Sequence, residues 1–296
     1  EPPQGYNQTI ATTWSMSIEQ LPQAAADLLA FCAFLAPDDI PREMIAESTD
    51  HLPEPLASIV SDALALDRAV TELRSYSLLA VGGDSWSVHR LVQAVVRGRI
   101  DNDERNGWAE AAAEAMRAAF PYDNDDAETW PACSRLLAHA LAAAGHSERV
   151  GVAAGTTVSM LNQVGLYLYR RARFLEAKSA LERAIYIAEM DLGPKDRSVA
   201  GLLTNLGVVL RDFGELEGAR EHSERALEIC EGAYSKDHPD IATASNNLGN
   251  VLLGLGDLDG AREHHQRALQ IDEANYGPEH PEVAKDLKNM GNVLWE

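Results

Sequence analysis

The sequence predicts a mainly α-helical protein whose C-terminal half is a superhelix of repeated helix pairs. Four short segments ending in Gly recur at a constant spacing of 42 residues. A fixed period of this length is typical of solenoids, in which each unit buries its apolar face only against its neighbours. Ahead of the repeats, a Gly-rich turn between two β-type runs predicts one small hairpin after a group of helices. The four repeated segments are Asn162–Gly165, Thr204–Gly207, Asn246–Gly249 and Lys288–Gly291.

The hairpin belongs to the N-terminal part of the chain. An apolar helix around Leu28 leads to a turn at residues 36–41 and then to further helices. Residues 79–81 and 86–88 are predicted to be two strands, because β-branched and aromatic residues flank a Gly-rich segment. The chain then returns to helix at Arg90. Helices followed by a small hairpin predict a winged-helix domain.

A helical segment without the repeat landmarks lies between this domain and the repeats. Its two helices, at residues 108–120 and 127–144, are separated by an acidic loop that we expect to be solvated. Terminal units of a solenoid are often atypical, so this segment is interpreted as a spacer or N-terminal cap. The expected limits are a linker from an upstream domain at 1–11, a winged-helix domain at 12–100, the spacer at 101–160 and the repeats at 161–296.

Each repeat is predicted to be helix, turn, helix. In the second copy, apolar residues keep helical spacing around Gly207, Gly214 breaks the pattern, and the stripe resumes through Ala219. Small residues at Gly207 and Ala219 would let the two helices approach closely. Pro239 and Pro281 stand at the first helical position of the following units, where proline is favoured.

Composition narrows the class of protein. The net charge is −21, and residues 12–100 carry 6 Lys or Arg against 12 Asp or Glu, so a nucleic-acid ligand is not expected. The three cysteines, Cys32, Cys133 and Cys230, have no short spacing and are expected to be reduced thiols. No apolar run is long enough to span a membrane, and the histidines show no metal-ligand spacing. We therefore expect a soluble cytoplasmic protein without a metal site.

The repeats resemble the tetratricopeptide repeat. Its small-residue positions match Gly207, Gly214, Ala219 and Ala226. The 42-residue form is similar to the repeats of kinesin light chains and their bacterial relatives, and it covers residues 161–296 with the last unit truncated. The expected fold class is thus a winged-helix domain, a helical spacer and a tetratricopeptide-repeat superhelix.

This resemblance implies a groove for a protein or peptide ligand. In tetratricopeptide domains the first helix of each unit lines a concave groove, and the residue two before the small position commonly contacts the peptide. An amide there could hold an extended peptide backbone, since it both donates and accepts hydrogen bonds. The alternative is that these amides bond only within the superhelix. The amides are Gln163, Asn205, Asn247 and Asn289, and the neighbouring groove residues are Leu166, Tyr169, Arg170, Val208, Arg211, Asn250 and Leu253.

The N-terminal domain resembles the winged-helix module of NB-ARC domains in STAND signalling ATPases, through the segment Val88-His89-Arg90-Leu91-Val92. The resemblance implies that His89 contacts the β-phosphate of ADP in the resting state, while Arg90 stands where the family usually has Asp. The alternative is that His89 caps a helix and has no ligand. No Lys follows a Gly, so the chain lacks a P-loop and is not expected to be an enzyme. An ATPase core with ADP or ATP and Mg²⁺ is expected upstream.

The function expected from these features is regulation of a nucleotide-switched signalling ATPase. The repeats would bind an activating protein or peptide, the winged helix would report the nucleotide state, and the protein would oligomerise on activation. A weak bias toward an acidic ligand follows from Arg170 and Arg211. Two alternatives stay open: a DNA-binding transcription regulator, supported by Arg90, Arg97 and Arg99, and a static protein-interaction adaptor.

Overall fold

The computed structural model describes residues 14–123 and 126–295, so the predicted linker at residues 1–11 lies outside the described residues. The chain divides into two compact units between residues 161 and 162. Residues 14–19 are helical. The remaining elements of the first unit are α1 (Gln23–Cys32), β1 (Ile40–Pro41), α2 (Arg42–Glu47), a 3₁₀ turn (Thr49–His51), α3 (Leu56–Ser61), α4 (Ala63–Ser75), β2 (Ala80–Gly82), β3 (Ser85–Ser87), α5 (Arg90–Arg99), α6 (Asn102–Ala119), a 3₁₀ turn (Ala127–Thr129) and α7 (Trp130–Val150).

The predicted hairpin is confirmed as β2 and β3, and it belongs to a three-stranded antiparallel sheet with strand order β1–β3–β2. Trp86 on β3 lies opposite both Ile40 on β1 and Val81 on β2. The interpretation of residues 36–41 as only a turn was wrong, because Ile40–Pro41 forms the edge strand β1. Two residues are too few to show alternation, and Pro, which cannot donate to a ladder, argued against a strand.

The core of the first unit is built around α1. Its apolar run is buried almost all round, and α3, α4, α5 and α6 pack against it. The carbonyl groups at the C-terminal end of α1 are bonded by α5, because Gln93 Nε2 donates to Cys32 O at 2.9 Å and to Leu35 O at 3.1 Å. Arg97 Nη1 donates to Ala33 O beside them. Side chains of α5 therefore satisfy carbonyl groups that the helix itself leaves unpaired.

The two helices predicted between the first domain and the repeats are α6 and α7, and they pack on each other. α6 begins with a capping box, in which the Asp101 side chain accepts from Glu104 N and the Glu104 side chain accepts from Asp101 N. α7 is fixed to the sheet side of the unit by Arg135, whose guanidinium donates to the carboxylates of Asp39 and Asp84 at 2.9–3.2 Å.

The repeats form successive helix pairs. Repeat 1 is α8 with α9, repeat 2 is α10 with α11, repeat 3 is α12 with α13, and α14 is the first helix of repeat 4. Their bounds are α8 (Ala154–Arg170), α9 (Phe174–Leu192), α10 (Arg197–Phe213), α11 (Leu216–Ala233), α12 (Pro239–Leu255), α13 (Leu258–Tyr276) and α14 (Pro281–Trp295).

The turns inside the repeats follow the predicted period. Gly214 and Gly256 end the first helices of repeats 2 and 3 with φ of +93° and +81°, and Ala172 has φ of +56° at the same place in repeat 1. Glycine adopts this left-handed conformation without the strain that Ala172 carries. The predicted starts at Pro239 and Pro281 are also confirmed.

Close helix contact at the small residues is confirmed as well. A Cβ atom added at Gly207 would lie 2.7 Å from Ser223 Oγ and 3.5 Å from Ala219 O. At Gly165 it would lie 2.8 Å from Leu181 Cγ, and at Gly249 it would lie 2.7 Å from the His265 ring. The Gly that defines the repeat therefore marks the point where first and second helices touch.

Candidate peptide-binding site

The predicted groove residues other than Asn289 lie on one exposed stripe of the first helices, which we call the first-helix face. On α10 the opposite side is closed by buried residues such as Leu203, Leu206 and Leu210. This amphipathic pattern fixes which side of each helix faces outward. The predicted residues that are partly or fully exposed are Gln163, Leu166, Tyr169, Arg170, Asn205, Val208, Arg211, Asn247, Asn250 and Leu253.

Two of the four predicted amides join neighbouring first helices. Asn205 Nδ2 donates to Asn162 Oδ1 at 2.9 Å, and Asn289 Nδ2 donates to Asn246 Oδ1 at 3.4 Å. Asn247 Nδ2 donates at 3.0 Å to Thr243 O of its own helix. These contacts correspond to the alternative in which the amides bond within the superhelix, although each Asn keeps further hydrogen-bonding capacity.

Asn289 departs from the expected position on the groove surface, because its exposed fraction is 9%. In this repeat the amide belongs to a buried polar network with Asn246 and Asp286, whereas Asn247 at the same position of repeat 3 remains half-buried. The interior of the last interface is polar, so the amide finds a partner there instead of facing outward.

A polar network lies at the C-terminal ends of the first helices of repeats 1 and 2. Tyr169 Oη donates to Asp212 Oδ2 at 2.6 Å, and Arg211 Nε donates to Asp212 Oδ1 at 2.8 Å. Burial and the hydrogen bond to Asp212 raise the pKa of Tyr169 to about 12, so the phenol keeps its proton. Because the charge of Arg211 is compensated, exposed Arg170 is the freer cation of the predicted pair, with no ion pair among the described residues.

Three neighbouring aromatic rings beside this network, which we call the aromatic cluster, were not predicted. The ring of Phe174 lies 6.1 Å from that of Tyr169 and 6.0 Å from that of Phe213, centroid to centroid. Phe213 is 39% exposed and offers apolar surface next to Tyr169 and Arg170. The signal for it is weak in the sequence, because Phe174 and Phe213 lie at helix ends where the apolar period gives no direction.

The first and second helices of the repeats also differ in net charge. The four first helices carry five Lys or Arg and four Asp or Glu, whereas the three second helices carry six and thirteen. The acidity of the repeats is therefore concentrated on the second helices. The first helices therefore repel an acidic segment less than the second helices do.

His89 caps α5. Its Nδ1 accepts from Leu91 N at 3.2 Å, and its exposed ring lies 5.7 Å from that of Trp14. His238 and His280 cap α12 and α14 in the same way, each stacked on a tyrosine. The cap geometry of the alternative interpretation is thus present, and a nucleotide contact of His89 or of exposed Arg90 stays a prediction.

Other chemistry is sparse. Within residues 14–123 and 126–295, no group of three or more His, Cys, Asp or Glu is arranged to hold a metal ion. No described helix is long and apolar enough to cross a bilayer. Cys32, Cys133 and Cys230 are free and buried, and burial raises the pKa of the Cys32 thiol to about 12.

Comparison with known families identifies the repeats. Tetratricopeptide repeat matches cover residues 156–231, 198–274 and 240–296. Residues 16–105 match a domain of unknown function, DUF7779. No curated protein sequence matches the chain. The segment from residue 156 onward is therefore a tetratricopeptide-repeat array, which confirms that part of the sequence interpretation.

Several solved structures are similar to this chain. One contains nearly identical TPR-like repeats of kinesin-light-chain type from Podosopora anserina, in a variant form. It has 14% identity and a TM-score of 0.50 over 62% of this chain and 84% of that one. BtubC (BKLC) from P. vanneervenii has 18% identity and a TM-score of 0.48 over 86% and 82%. A STAND protein with a tetratricopeptide repeat sensor, PH0952 from Pyrococcus horikoshii, has 13% identity and a TM-score of 0.27 over 98% and 50%. At 14% identity, the likeness to the first of these structures concerns the repeat fold alone.

Proposed function

We propose that this chain is the regulatory and sensor part of a nucleotide-switched signalling ATPase, in which the first-helix face binds a protein or peptide. The observation that carries the proposal is that face itself. It presents amide groups, an exposed cation and the aromatic cluster on consecutive units of a tetratricopeptide-repeat array. These are the groups that hold an extended peptide by its backbone and one or two side chains.

The middle of the face has the most hydrogen-bonding capacity. Asn250 is half-buried and makes no hydrogen bond among the described residues, and Asn247 donates only to its own helix. Both amides lie on α12, one turn apart, so a peptide crossing this helix would meet two amides in succession. Arg170 then favours an acidic side chain or a terminal carboxylate at the repeat 1 end.

The first unit supplies the nucleotide-reporting part of the proposal. Its order of helix, strand, helices and hairpin, with sheet order β1–β3–β2, supports a winged-helix assignment. His89 follows the hairpin directly. With Nδ1 accepting from the backbone, the neutral ring carries its proton on Nε2, which makes no hydrogen bond among the described residues. Exposed His89 and Arg90 would hold a phosphate presented by an upstream nucleotide-binding domain.

Ligand binding would act on the switch by population shift. It favours the active state only to the extent that the repeats bind the ligand more tightly in that state. Oligomerisation would follow once ADP is exchanged for ATP in the upstream domain. A static adaptor would need only the repeats, and a DNA-binding regulator would need a basic surface that residues 12–100, with 12 acidic side chains against 6 basic ones, do not supply.

The peptide site is tested by selecting binders from a library of random peptides with the 296-residue chain and measuring the selected peptides by calorimetry. Asn247→Ala together with Asn250→Ala should weaken binding about tenfold or more, since each lost hydrogen bond contributes roughly 0.5–1.5 kcal/mol. Gln266→Ala, on an exposed position of a second helix, is the matched control. Equal loss in both variants would place the peptide elsewhere.

The nucleotide contact is tested in the protein with its upstream domain, by the rate of ADP release. His89→Asn keeps a side-chain acceptor that can cap α5 but removes the imidazole Nε2. The variant should release ADP faster and show activity without ligand, at an unchanged melting temperature. A wild-type release rate would restrict His89 to its capping role and remove the support for nucleotide reporting.

A further inference from the structure

Three basic side chains meet in the first unit without an acidic partner. They are Arg97 near the end of α5, and His146 and Arg149 in the last turns of α7. Arg97 bonds Ala33 O, and the ring of the next residue, Phe34, lies 5.1 Å from that of His146. Arg149 Nη1 lies 3.2 Å from His146 Nδ1. Burial, then Arg97 and Arg149, lower the pKa of His146 to about 4, and burial and Arg149 lower the pKa of Arg97. Neither arginine forms an ion pair with a described carboxylate.

The cluster lies in an acidic chain of net charge −21, where carboxylates are plentiful. Elsewhere in the first unit, Arg42, Arg99 and Arg135 each pair with at least one carboxylate. Repulsion between the two guanidinium groups is unfavourable unless something offsets it, and with burial it keeps His146 neutral. Helix ends account for part of the arrangement, because Arg97 donates to Ala33 O at the end of α1. One carbonyl group does not compensate two guanidinium groups.

The hydrogen bonds of the cluster leave several of its N–H donors without an acceptor among the described residues. Arg149 donates to His146 Nδ1, so the neutral imidazole carries its proton on Nε2. Each guanidinium has five N–H groups, of which Arg97 and Arg149 each show one engaged within the described residues. Arg149 is exposed and the other two side chains are partly exposed, so solvent can deliver a ligand.

We propose that Arg97, His146 and Arg149 form a binding site for a phosphate group. A planar carboxylate is matched by a single bidentate guanidinium, whereas donors from two helices and an imidazole suit the several oxygens of a tetrahedral anion. The site uses none of the residues assigned to peptide or ADP contact. It stands independently of the proposed function.

Inorganic phosphate is the probe, and the NMR signal of the His146 Cε1 proton in the 296-residue chain is the readout. Bound phosphate stabilises the imidazolium, so the pKa of His146 should rise from about 4 in a saturable manner. Chloride at the same ionic strength should have a smaller, non-saturable effect. An equal effect of chloride would mean screening alone and would overturn the proposal.

Two variants separate the site from general charge effects. Arg149→Gln should weaken phosphate binding at least about tenfold, as loss of a charge-assisted hydrogen bond implies. Arg117→Gln is the matched control, because Arg117 is also an exposed arginine in the last turn of a helix, α6. Unchanged affinity in Arg149→Gln, or equal loss in both variants, would also overturn the proposal. Arg97 stays unchanged because it bonds α1.

Discussion

Two successive repeat interfaces have the same backbone period, but the side chains buried in them differ in size and polarity. Four interface positions between repeats 2 and 3 are occupied by Thr204, Ser223, Cys230 and Ala244. Forty-two residues later, between repeats 3 and 4, they are occupied by Asn246, His265, Asp272 and Asp286. All four later side chains are buried, with Asp286 and His265 fully so. A solenoid can thus keep its geometry while one interface changes from small to ionisable side chains.

The later interface contains a connected network. His265 Nδ1 bonds Asn246 Oδ1 at 3.0 Å, and Asn246 Nδ2 donates to Asp286 Oδ1. Burial, then repulsion from Asp286, raise the pKa of Asp272 to about 6, and burial raises the pKa of Asp286. Glu282 and Lys285 act on both carboxyls from the same helix as Asp286. Two buried carboxyls so placed are stable when they share a proton and repel when both are ionised.

The largest effect is expected from transferring one acid into the earlier interface. Ala244→Asp would bury a carboxylate at the position that Asp286 occupies one period later, but with Thr204 in place of Asn246, and should lower the free energy of unfolding by about 3 kcal/mol. Thr243→Asp adds the same charge at the neighbouring exposed position and is the control. Urea denaturation at neutral pH measures both. Similar midpoints for the two variants would mean that the earlier interface accepts a buried acid.

Packing at the repeat glycine should also differ between the interfaces. Gly249→Ala would force a Cβ atom to 2.7–2.9 Å from three atoms of the buried His265 ring, which its bond to Asn246 holds in place. We expect a loss of roughly 1–3 kcal/mol. Gly207→Ala meets the single Oγ atom of Ser223 and should cost less.

Gly291→Ala is the control for this pair of variants, since no atom lies within 4 Å of the added Cβ. It should be neutral or stabilising, because Ala has the higher helix propensity. Denaturation midpoints that rank Gly207→Ala below Gly249→Ala would contradict the rigidity assigned to His265.

The main features of the repeats could be predicted from the sequence, because the 42-residue period fixes where helices begin, turn and touch. Gly214, Pro239 and the contact at Gly207 follow from local conformational rules. The buried acid pair could not be predicted in the same way, since aspartates are usually exposed. The available signal was alignment by period, which sets Asp272 against Cys230 and Asp286 against Ala244.

The exposed surface of the first helices could be predicted in outline for a similar reason, whereas peptide binding to it stays a prediction. Helical spacing identifies the exposed stripe of α10 and α12, but it does not reveal which amides find partners across helices. Asn205 and Asn289 meet Asn162 and Asn246 only after the helices are stacked. The packing of Phe174 in the aromatic cluster depends on turn geometry in the same way.

A smaller effect concerns pH. A carboxyl whose pKa is raised on folding binds its proton more tightly in the folded state, so its stabilising effect is present at acid pH and is lost as the pH rises from about 4 toward 6. Asp286→Asn removes one of the two repelling charges. At about pH 8 it should raise the free energy of unfolding by roughly 1–2 kcal/mol, with no gain near pH 4.

Thermal melting of Asp286→Asn across this pH range, beside the exposed control Asp259→Asn, gives the measurement. The difference between the two variants should grow with pH. A difference that is constant, or that grows toward acid pH, would show that the pair does not share a proton.

The smallest effect separates the two amides that occupy one repeat position. Asn289→Ala removes a buried donor to Asn246 and should cost about 1 kcal/mol of stability, whereas Asn247→Ala, half-buried and bonded to its own helix, should cost under about 0.5 kcal/mol. Binding of a selected peptide should show the reverse order, because Asn247 faces the candidate groove and Asn289 does not. Denaturation midpoints and calorimetric affinities, measured on the same two variants, test both halves. If Asn289→Ala weakens the peptide more than Asn247→Ala at equal stability, the peptide contacts the last interface and the proposed path across α12 is wrong.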